Sequence, residues 1–433
     1  MIPVIIIAAV TCVLLVTSVL VKPSIDIKGH NISIYWMIVL VGALVMLCSG
    51  LVGFKETFAV MTADTAINPV KILILFLSMS VMSIFLDEIG FFKFLANWAL
   101  KKAKTSQMVL FIYLYIVVSV LTVFTSNDII ILTFTPFICY FAKNAKINPV
   151  PYLFAEFVAA NTWSMMLVIG NPTNVYLATT NGITFINYVA VMALPTVMGG
   201  LAAFGMLMLV FRKSLKKPLE SEPEDIRIKN KVLLVIGVAH LGVCTVLLVI
   251  SSYIGVDMWL ITLCFAVSLF IWVIIYQLIS KKHDGELLHC LKRIPWQLIP
   301  FVLSMFVLVL ALDKYGITQV IADWFGDKAS VWVYGAASFL SANLVNNIPM
   351  SVLYCAVIEK ASSAILLSAT YASVVGSNLG AILTPIGALA GIMWSSILKK
   401  HDVQFSFVTY IKYGAFISIP TLAVTLLGLM IVL

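Results

Sequence analysis

The sequence predicts an all-α polytopic membrane protein formed by one domain over residues 1–433. Of its 433 residues, 62% are hydrophobic and 11% charged, whereas soluble domains are about 45–50% apolar and about 25% charged. Apolar runs long enough to cross about 30 Å of hydrocarbon as helices recur along the chain. Polar interruptions divide four of these runs, and part of the sequence is repeated. These observations leave no room for a separate soluble domain.

Eight apolar runs are uninterrupted and are predicted as ordinary spanning helices. The first has neither a basic leading segment nor a small-residue cleavage site, so it is interpreted as a retained helix and not as a signal peptide. The eight runs cover residues 2–21, 33–53, 70–86, 185–211, 231–253, 257–280, 297–312 and 408–433.

Four further runs contain polar breaks. Residues 107–143 are interrupted by Thr125-Ser126-Asn127-Asp128, and residues 151–184 by Gly170-Asn171-Pro172-Thr173-Asn174. Their counterparts in the second half are residues 330–359 and 361–398. If 107–143 and 330–359 are re-entrant hairpins and the other two are discontinuous helices, the chain has about ten crossings plus two hairpins.

The distribution of basic residues sets the predicted orientation. With ten crossings, only five of the 27 Lys and Arg residues fall on one side, namely Lys55, Lys71, Lys314, Lys328 and Lys360. The other side is therefore cytoplasmic by the positive-inside rule. Both termini are then outside the cell membrane, and residues 212–230 form a cytoplasmic linker. The net charge of +8 reflects cytoplasmic loops, so no nucleic-acid partner is expected.

An internal repeat joins the two halves. Residues 77–98 align without a gap over residues 303–324, matching Asp87 with Asp313, Gly90 with Gly316 and Trp98 with Trp324. Amphipathic helices are predicted after each aspartate, at opposite interfaces. The first repeat is placed at residues 33–211 and the second at 231–433. An odd number of crossings between the copies inverts the second, and inverted repeats with broken helices are typical of secondary transporters.

The breaks supply the candidate binding residues. Non-helical backbone at membrane depth persists only where protein or a water-filled cavity satisfies it. Each break also exposes helix ends that can bind ions. The predicted substrate or ion ligands are short polar side chains, although capping of the half-helices could explain any single one: Ser126, Asn127, Asp128, Asn171, Thr173, Asn174, Asn343, Asn346, Asn347, Ser377, Asn378 and Thr384.

Two carboxyl groups are candidates for carrying a coupling proton. Asp128 lies at the predicted tip of a hairpin, where an ionisable group is costly and by default functional; it could bind a proton or a sodium ion. Asn347 is expected in the corresponding place of the second copy. Glu156 is the other candidate, or it could simply reach water from its helix end. Structural roles are expected for the interfacial acids Asp87, Glu88 and Asp313.

Motifs for catalysis, metal binding and nucleotide binding are missing from the sequence. It contains no Ser-His-Asp arrangement, metal-ligand cluster or phosphate-binding glycine motif. The seven cysteines have no zinc or redox spacing, and apolar packing explains them, including Cys139 and Cys355, which follow hairpin tips. We therefore expect neither an enzyme nor a bound cofactor or metal.

Several motifs resemble those of a known superfamily. SND followed by TP, GNPTN, NLVNNIPM and GSNLGAILTPIGALAGIMW resemble the ion transporter superfamily over roughly residues 30–430. NLVNNIPM and NLGAILTPIG look most like the arsenite permease family of arsenical pump membrane proteins, which is allied to citrate–metal symporters and sodium/proton antiporters. GNPTN is more similar to the citrate and sodium/proton members.

This resemblance implies proton-coupled efflux of arsenite, antimonite or a related small oxyanion. Two alternatives remain within transport: a sodium- or proton-coupled citrate or dicarboxylate transporter, and a sodium/proton antiporter. Outside transport, the alternative function is that of a non-transporting membrane scaffold. The expected partners are a small inorganic or organic anion, H⁺ or Na⁺ as coupling ion, and the bilayer. Family resemblance adds a soluble ATPase and a second copy of the chain as candidates.

Overall fold

The computed structural model describes residues 1–21, 24–27, 30–63, 68–103, 106–216, 218, 228, 230–281, 285–328, 330–403 and 406–433. The first half contains ten helices: α1 (Ile2–Val21), α2 (Tyr35–Cys48), α3 (Phe54–Thr62), α4 (Pro69–Glu88), α5 (Phe91–Ala103), α6 (Gln107–Phe124), α7 (Asn127–Asn144), α8 (Val150–Trp163), α9 (Pro172–Thr180) and α10 (Phe185–Phe211).

The second half contains the same number of helices. These are α11 (Lys231–Ile254), α12 (Met258–Ser280), α13 (Glu286–Arg293), α14 (Leu298–Lys314), α15 (Ile317–Phe325), α16 (Ser330–Val345), α17 (Asn347–Lys360), α18 (Leu366–Leu383), α19 (Leu389–Lys400) and α20 (Phe407–Val432). The prediction of an all-helical membrane protein is confirmed. The structure also contains an antiparallel pair of short strands that was not predicted, β1 (Ser24–Ile27) and β2 (His30–Ser33).

Eight stretches of the described chain are long and apolar enough to cross a membrane. They are α4, α6, α10, α11, α12, the segment Glu286–Lys314, α18 and α20, while α1, α2 and α16 are shorter apolar helices. Local sequence explains helix starts such as that of α4, where Asn68 accepts hydrogen bonds from the Val70 and Lys71 amides and Pro69 occupies the first turn. The predicted linker 212–230 lies mostly outside the described residues.

The four interrupted runs are broken in the structure at the predicted polar residues. Helices α6 and α7 are separated by Thr125 and Ser126, and α16 and α17 by Asn346 alone. Helices α8 and α9 are separated by a segment containing a single 3₁₀ turn at residues 168–170, and α18 and α19 by residues 384–388. These broken helices position the candidate site.

The helices pack reciprocally across the two halves. Helix α2 packs on α14, and α12 packs on α4; likewise α7 packs on α19, and α17 packs on α9. In the order of helices, α1 takes the same place as α11. This reciprocity is what an approximate two-fold relation between the halves requires. The repeat bounds 33–211 and 231–433, and the inversion of the second repeat, stay predictions.

The repeated glycine motif has a conformational explanation. Gly90 and Gly316 follow α4 and α14 with φ of 82° and 75°, and both precede the short helices expected after the repeated aspartates. A side chain at such a left-handed φ costs roughly 1–2 kcal/mol. The same sharp turn is therefore encoded twice.

The acidic residues beside these turns form ion pairs. Arg293 of α13 contacts Asp87 at 2.5 Å and Glu88 at 2.6 Å, fastening the end of α4 to a helix of the second half. Asp313 pairs with Lys360 at 3.2 Å. The contacts of these acids are structural links between helices.

Helices α16 and α18 approach each other through small residues. A Cβ on Gly376 would lie far inside van der Waals contact of the Ser338 hydroxyl and the Gly335 carbonyl. Such small residues let helix backbones come close and replace lipid contacts with dense packing. The second hairpin is thereby held tightly against the broken helix α18.

Candidate functional site

The break between α8 and α9 is filled by asparagine side chains. Asn174 donates from Nδ2 to the carbonyls of Ser164 at 2.8 Å and Leu167 at 3.2 Å. Asn171 accepts from the Thr173 amide at 3.2 Å and so caps α9. These contacts satisfy backbone groups that the broken helix leaves free, as an apolar surrounding requires.

Asn378 of α18 joins this break to the second half of the chain. Its Oδ1 accepts from Asn171 Nδ2 at 2.8 Å and from the Ser164 hydroxyl at 3.0 Å. Its Nδ2 donates to Asn174 Oδ1 at 2.7 Å and to the Val374 carbonyl at 2.8 Å. All four side chains that meet here are buried. The result is a network of three asparagines and one serine at the centre of the molecule.

The tip of the first hairpin reaches the same network through α8. Asn127, the first residue of α7, donates from Nδ2 to Asn161 Oδ1 at 3.1 Å, and the Asn161 carbonyl accepts from Ser164 at 3.1 Å. Asp128 follows in the first turn of α7 and is only half-buried. Its amide donates to Asn127 Oδ1 at 2.9 Å, and its carboxylate forms no ion pair with any residue described.

The tip of the second hairpin rests on the break between α18 and α19. Asn346, with φ of 73°, donates from Nδ2 to the Ile386 carbonyl at 3.0 Å, and the Asn347 amide donates to the Gly387 carbonyl at 3.0 Å. Asn343 accepts from the Thr384 hydroxyl at 2.6 Å. Each hairpin tip is thus tied by amide side chains to a broken helix.

Several buried polar atoms around the breaks have no hydrogen-bond partner among the described residues. A buried hydroxyl or amide oxygen left unpaired costs about 1–3 kcal/mol, so a concentration of them marks a place where a ligand can replace missing partners. They are the hydroxyls of Ser126, Thr162, Thr173, Ser373 and Ser377 and the side-chain oxygen of Asn347.

Cavities beside the breaks are small. One of about 10 Å³ lies at Asn346 and Ile386, and one of about 20 Å³ lies between Pro172 and Ile348. A single water needs roughly 10–15 Å³, so neither holds a substrate. A cavity of about 540 Å³ lies farther along α9, where Thr179, Lys71 and Trp259 line it. Neither of the two small cavities beside the breaks can admit a substrate in this conformation.

The electrostatics of the site come from helix ends and amides, without basic side chains. No Lys or Arg occurs in residues 106–142, 150–211, 330–359 or 366–398. Helices α7, α9, α17 and α19 begin at the breaks, and the start of a helix carries a partial positive charge of about half an elementary charge. The arrangement can bind a neutral, hydrogen-bonding solute, or an anion of low charge at the helix ends.

The structure brings the predicted residues into two groups. Asn127, Asn171, Asn174 and Asn378 belong to the central network, with Thr173 beside it; Asn343, Asn346, Asn347 and Thr384 surround the second tip. Ser126 occupies the N-cap position of α7 without a side-chain hydrogen bond to the helix, and Ser377 is buried on α18. Their role as ligands stays a prediction.

The expected correspondence of Asn347 with Asp128 stays a prediction, and each residue lies in the first turn of the second helix of its hairpin. Two network members were missed. Asn161 and Ser164 were not predicted because they precede the visible GNPTN break. The signal was present in the polar run Asn161-Thr162-Trp163-Ser164, which ends an apolar helix.

Comparisons with known proteins agree with this architecture. The chain is 26% identical over 402 residues to a putative arsenical pump membrane protein of Bacillus subtilis, covering 86% of this chain and 88% of the relative. It is 25% identical over 376 residues to the arsenical pump membrane protein of Escherichia coli, covering 82% and 84%. The crystal structure of the Alcanivorax borkumensis YdaH transporter has the same fold, with a TM-score of 0.57 at 13% identity, covering 99% of this chain and 98% of the other.

The family model that matches is described as a citrate transporter, CitMHS, and it covers residues 31–376. That match includes both hairpins, the α8–α9 break and the part of α18 up to Gly376. Taken with the helical membrane architecture, it shows that this chain is an integral membrane transporter and belongs to the CitMHS citrate transporter family.

Proposed function

We propose that this transporter exports arsenite or antimonite, or a related small oxyanion, in exchange for entering protons. The names of the two bacterial relatives support the substrate class. The observation that carries the proposal is the buried network of amides and hydroxyls, with no Lys or Arg in the four broken segments. Arsenous acid is neutral at neutral pH and offers hydroxyl groups that such a network can bind without paying for a buried charge.

Asp128 is the proposed proton-coupled group. It lies one residue after the tip amide Asn127, which bonds to α8, and it has no ion-pair partner among the described residues. An isolated carboxyl group inside the membrane is expensive when ionised, so it is suited to bind a proton and release it on the other side. The second hairpin has the uncharged Asn347 in the expected corresponding place, so coupling is confined to the first half.

The test is uptake into proteoliposomes or everted vesicles under an imposed pH gradient. Arsenite, citrate and sodium are compared on one preparation. We expect gradient-driven accumulation of arsenite by the wild-type protein, and loss of that accumulation in Asp128→Asn, which keeps the shape but not the charge. The matched control is Asp323→Asn, which changes an exposed acid on α15. Coupling that survives unchanged in Asp128→Asn would remove Asp128 from the mechanism.

The second candidate is transport of citrate or a dicarboxylate coupled to sodium or protons. The description of the matching family model favours it, and an anion could use the helix starts at the breaks. A citrate ion would then be held without a basic side chain from the broken segments. Citrate movement without arsenite movement, or strong sodium dependence at fixed pH, would select this candidate; proton-dependent sodium movement alone would indicate an antiporter.

Location and partners belong to the same proposal. We place the chain in the cell membrane with both termini outside, and we assign it transport and no catalytic role. A soluble ATPase and a second copy of the chain are candidate partners suggested by family resemblance. Co-purification from detergent and the measured mass of the solubilised complex test both.

A further inference from the structure

A second carboxyl group lies deeper in the protein than Asp128. Glu156, near the middle of α8, is 1% exposed. The Thr135 hydroxyl of α7 donates to its two oxygens at 2.9 Å and 3.1 Å, and the Trp394 indole of α19 lies close to it. Three elements meet at this carboxyl group: the first hairpin, the broken helix α8 and the short helix α19.

Among the described residues, no cation pairs with this carboxyl group. None of the ion pairs among the described residues includes Glu156, and both its donor Thr135 and the nearby Trp394 indole are uncharged. The titratable groups that face this region are the Cys139 thiol of α7 and the phenols of Tyr410 and Tyr413 on α20. Each of them is neutral or negative, so none can balance a carboxylate. An ionised group is costly in such surroundings.

An aromatic cluster holds Trp394 in place. Its ring lies 5.2 Å from that of Phe157 on α8 and 5.7 Å from that of Tyr410 on α20. Such contacts add about 0.5–1.5 kcal/mol each beyond area burial. Helix α19 is therefore held in place, and the partner of Glu156 that can adjust is Thr135 on the hairpin.

We infer that Glu156 is a second proton-binding site, whose occupancy controls how the first hairpin packs against α8. The inference rests on the proposed proton coupling and extends it to a second residue. The proton comes from water on one side of the membrane, binds one carboxyl oxygen, and leaves to water on the other. No other bond forms or breaks.

The two protonation states require different hydrogen bonds. An ionised carboxylate accepts from the Thr135 hydroxyl and has the Trp394 indole N–H as a further polar neighbour. A protonated carboxyl group must also donate its hydrogen. The indole N–H cannot accept a hydrogen bond, whereas the threonine hydroxyl can. Proton binding therefore reverses the Thr135 hydrogen bond, which links the hairpin to α8 in addition to the tip contact between Asn127 and Asn161. Glu156 is a positioning residue in this scheme, because no predicted substrate ligand contacts it in the hydrogen bonds described.

The experiment combines infrared spectroscopy with transport. Difference spectra between low and high pH are recorded from proteoliposomes of the wild type, Glu156→Gln, Asp128→Asn and Thr135→Val. Glu359→Gln is the matched control, since Glu359 is an exposed glutamate at the end of α17. We expect Glu156→Gln to remove one carboxylic-acid band, different from the band removed by Asp128→Asn. Thr135→Val should shift the Glu156 band in frequency.

Transport supplies the second readout. Gradient-driven accumulation should fall at least about fivefold in Glu156→Gln, the low end of ordinary coupling between two sites, while substrate exchange without a gradient continues. If Glu156→Gln matches the wild type in spectrum and accumulation, the inference is wrong although arsenite export stands. If the band disappears but the wild type moves no arsenite, the proton site stands and the proposed substrate falls. If Glu156→Gln does not fold, an unshifted band in Thr135→Val overturns the inference.

Discussion

Replacing Asn378 with leucine should destabilise the protein more than any other single change in the central network. Leucine keeps the volume and removes all four hydrogen bonds of the amide. Ser164 retains its bond to the Asn161 carbonyl, but Asn171 Nδ2 and Asn174 Oδ1 have no other partner described. Two buried orphans at about 1–3 kcal/mol each give about 2–6 kcal/mol.

The membrane lowers this figure. Hydrogen bonds between helices in a bilayer average about 0.6 kcal/mol, because the unfolded chain in the membrane also finds partners. Asn378 forms three such bonds, to Asn171, Ser164 and Asn174, and together they give about 2 kcal/mol. We therefore expect a loss of about 2–4 kcal/mol in the free energy of unfolding. The matched control is Thr370→Val on the same helix, whose hydroxyl donates only to the Leu366 carbonyl of its own helix.

The assay is unfolding in mixed micelles by titration with a denaturing detergent, followed by circular dichroism. The wild type, Asn378→Leu and Thr370→Val are compared at one protein concentration. Asn378→Leu should unfold at clearly lower detergent content, and Thr370→Val close to the wild type. Equal losses in the two variants would refute the reasoning, because the network would then contribute no more than a local helix contact.

Three further predictions follow from packing, charge and orientation. Gly376→Ala should destabilise the protein by at least about 1–3 kcal/mol through overpacking between α16 and α18, whereas Gly205→Ala, with nothing near its Cβ position, should be neutral or stabilising in the same assay. Arg293→Ala should cost up to about 3–5 kcal/mol, because Asp87 loses its cation and Glu88 keeps only the longer contact with His289 at 3.7 Å. Lys314→Ala, whose ion pair with Glu56 is exposed, should cost about 0–1 kcal/mol. A cysteine added after Leu433 should react with an impermeant maleimide on intact cells, and protection until the cells are opened would reverse the predicted orientation.

The sequence was sufficient for the helices and their interruptions. The length of the apolar runs predicted spans such as α11 and α12. Isolated polar runs predicted the breaks, because non-helical backbone inside a bilayer persists only where protein or a water-filled cavity satisfies its hydrogen bonds. The short helices α3 and α13 were missed, since each has only about two turns and no long apolar run. The strands β1 and β2 were missed as well, because eight residues between two spans give little periodicity.

The candidate site was only partly predictable. The types of its residues followed from the breaks, but the pairing of Asn378 with Asn171 and Asn174 depends on helices more than 200 residues apart in sequence. Likewise, the depth of Glu156 could not be read from its position along α8, because burial there comes from α7 and α19. Contacts between distant elements set these features, and no local pattern reports them.

The reciprocal packing of hairpins on broken helices has a consequence for biogenesis. During synthesis, α7 and α9 enter the membrane before α17 and α19 exist. The polar helix ends at the breaks of the first half therefore lack their partners from the second half until those helices are made. The first half is then expected to stay loosely assembled until α19 has been inserted. Two separate chains, divided between Phe211 and Lys231 and produced together, should find each other in the membrane, whereas either one alone should be an early target of quality-control proteases.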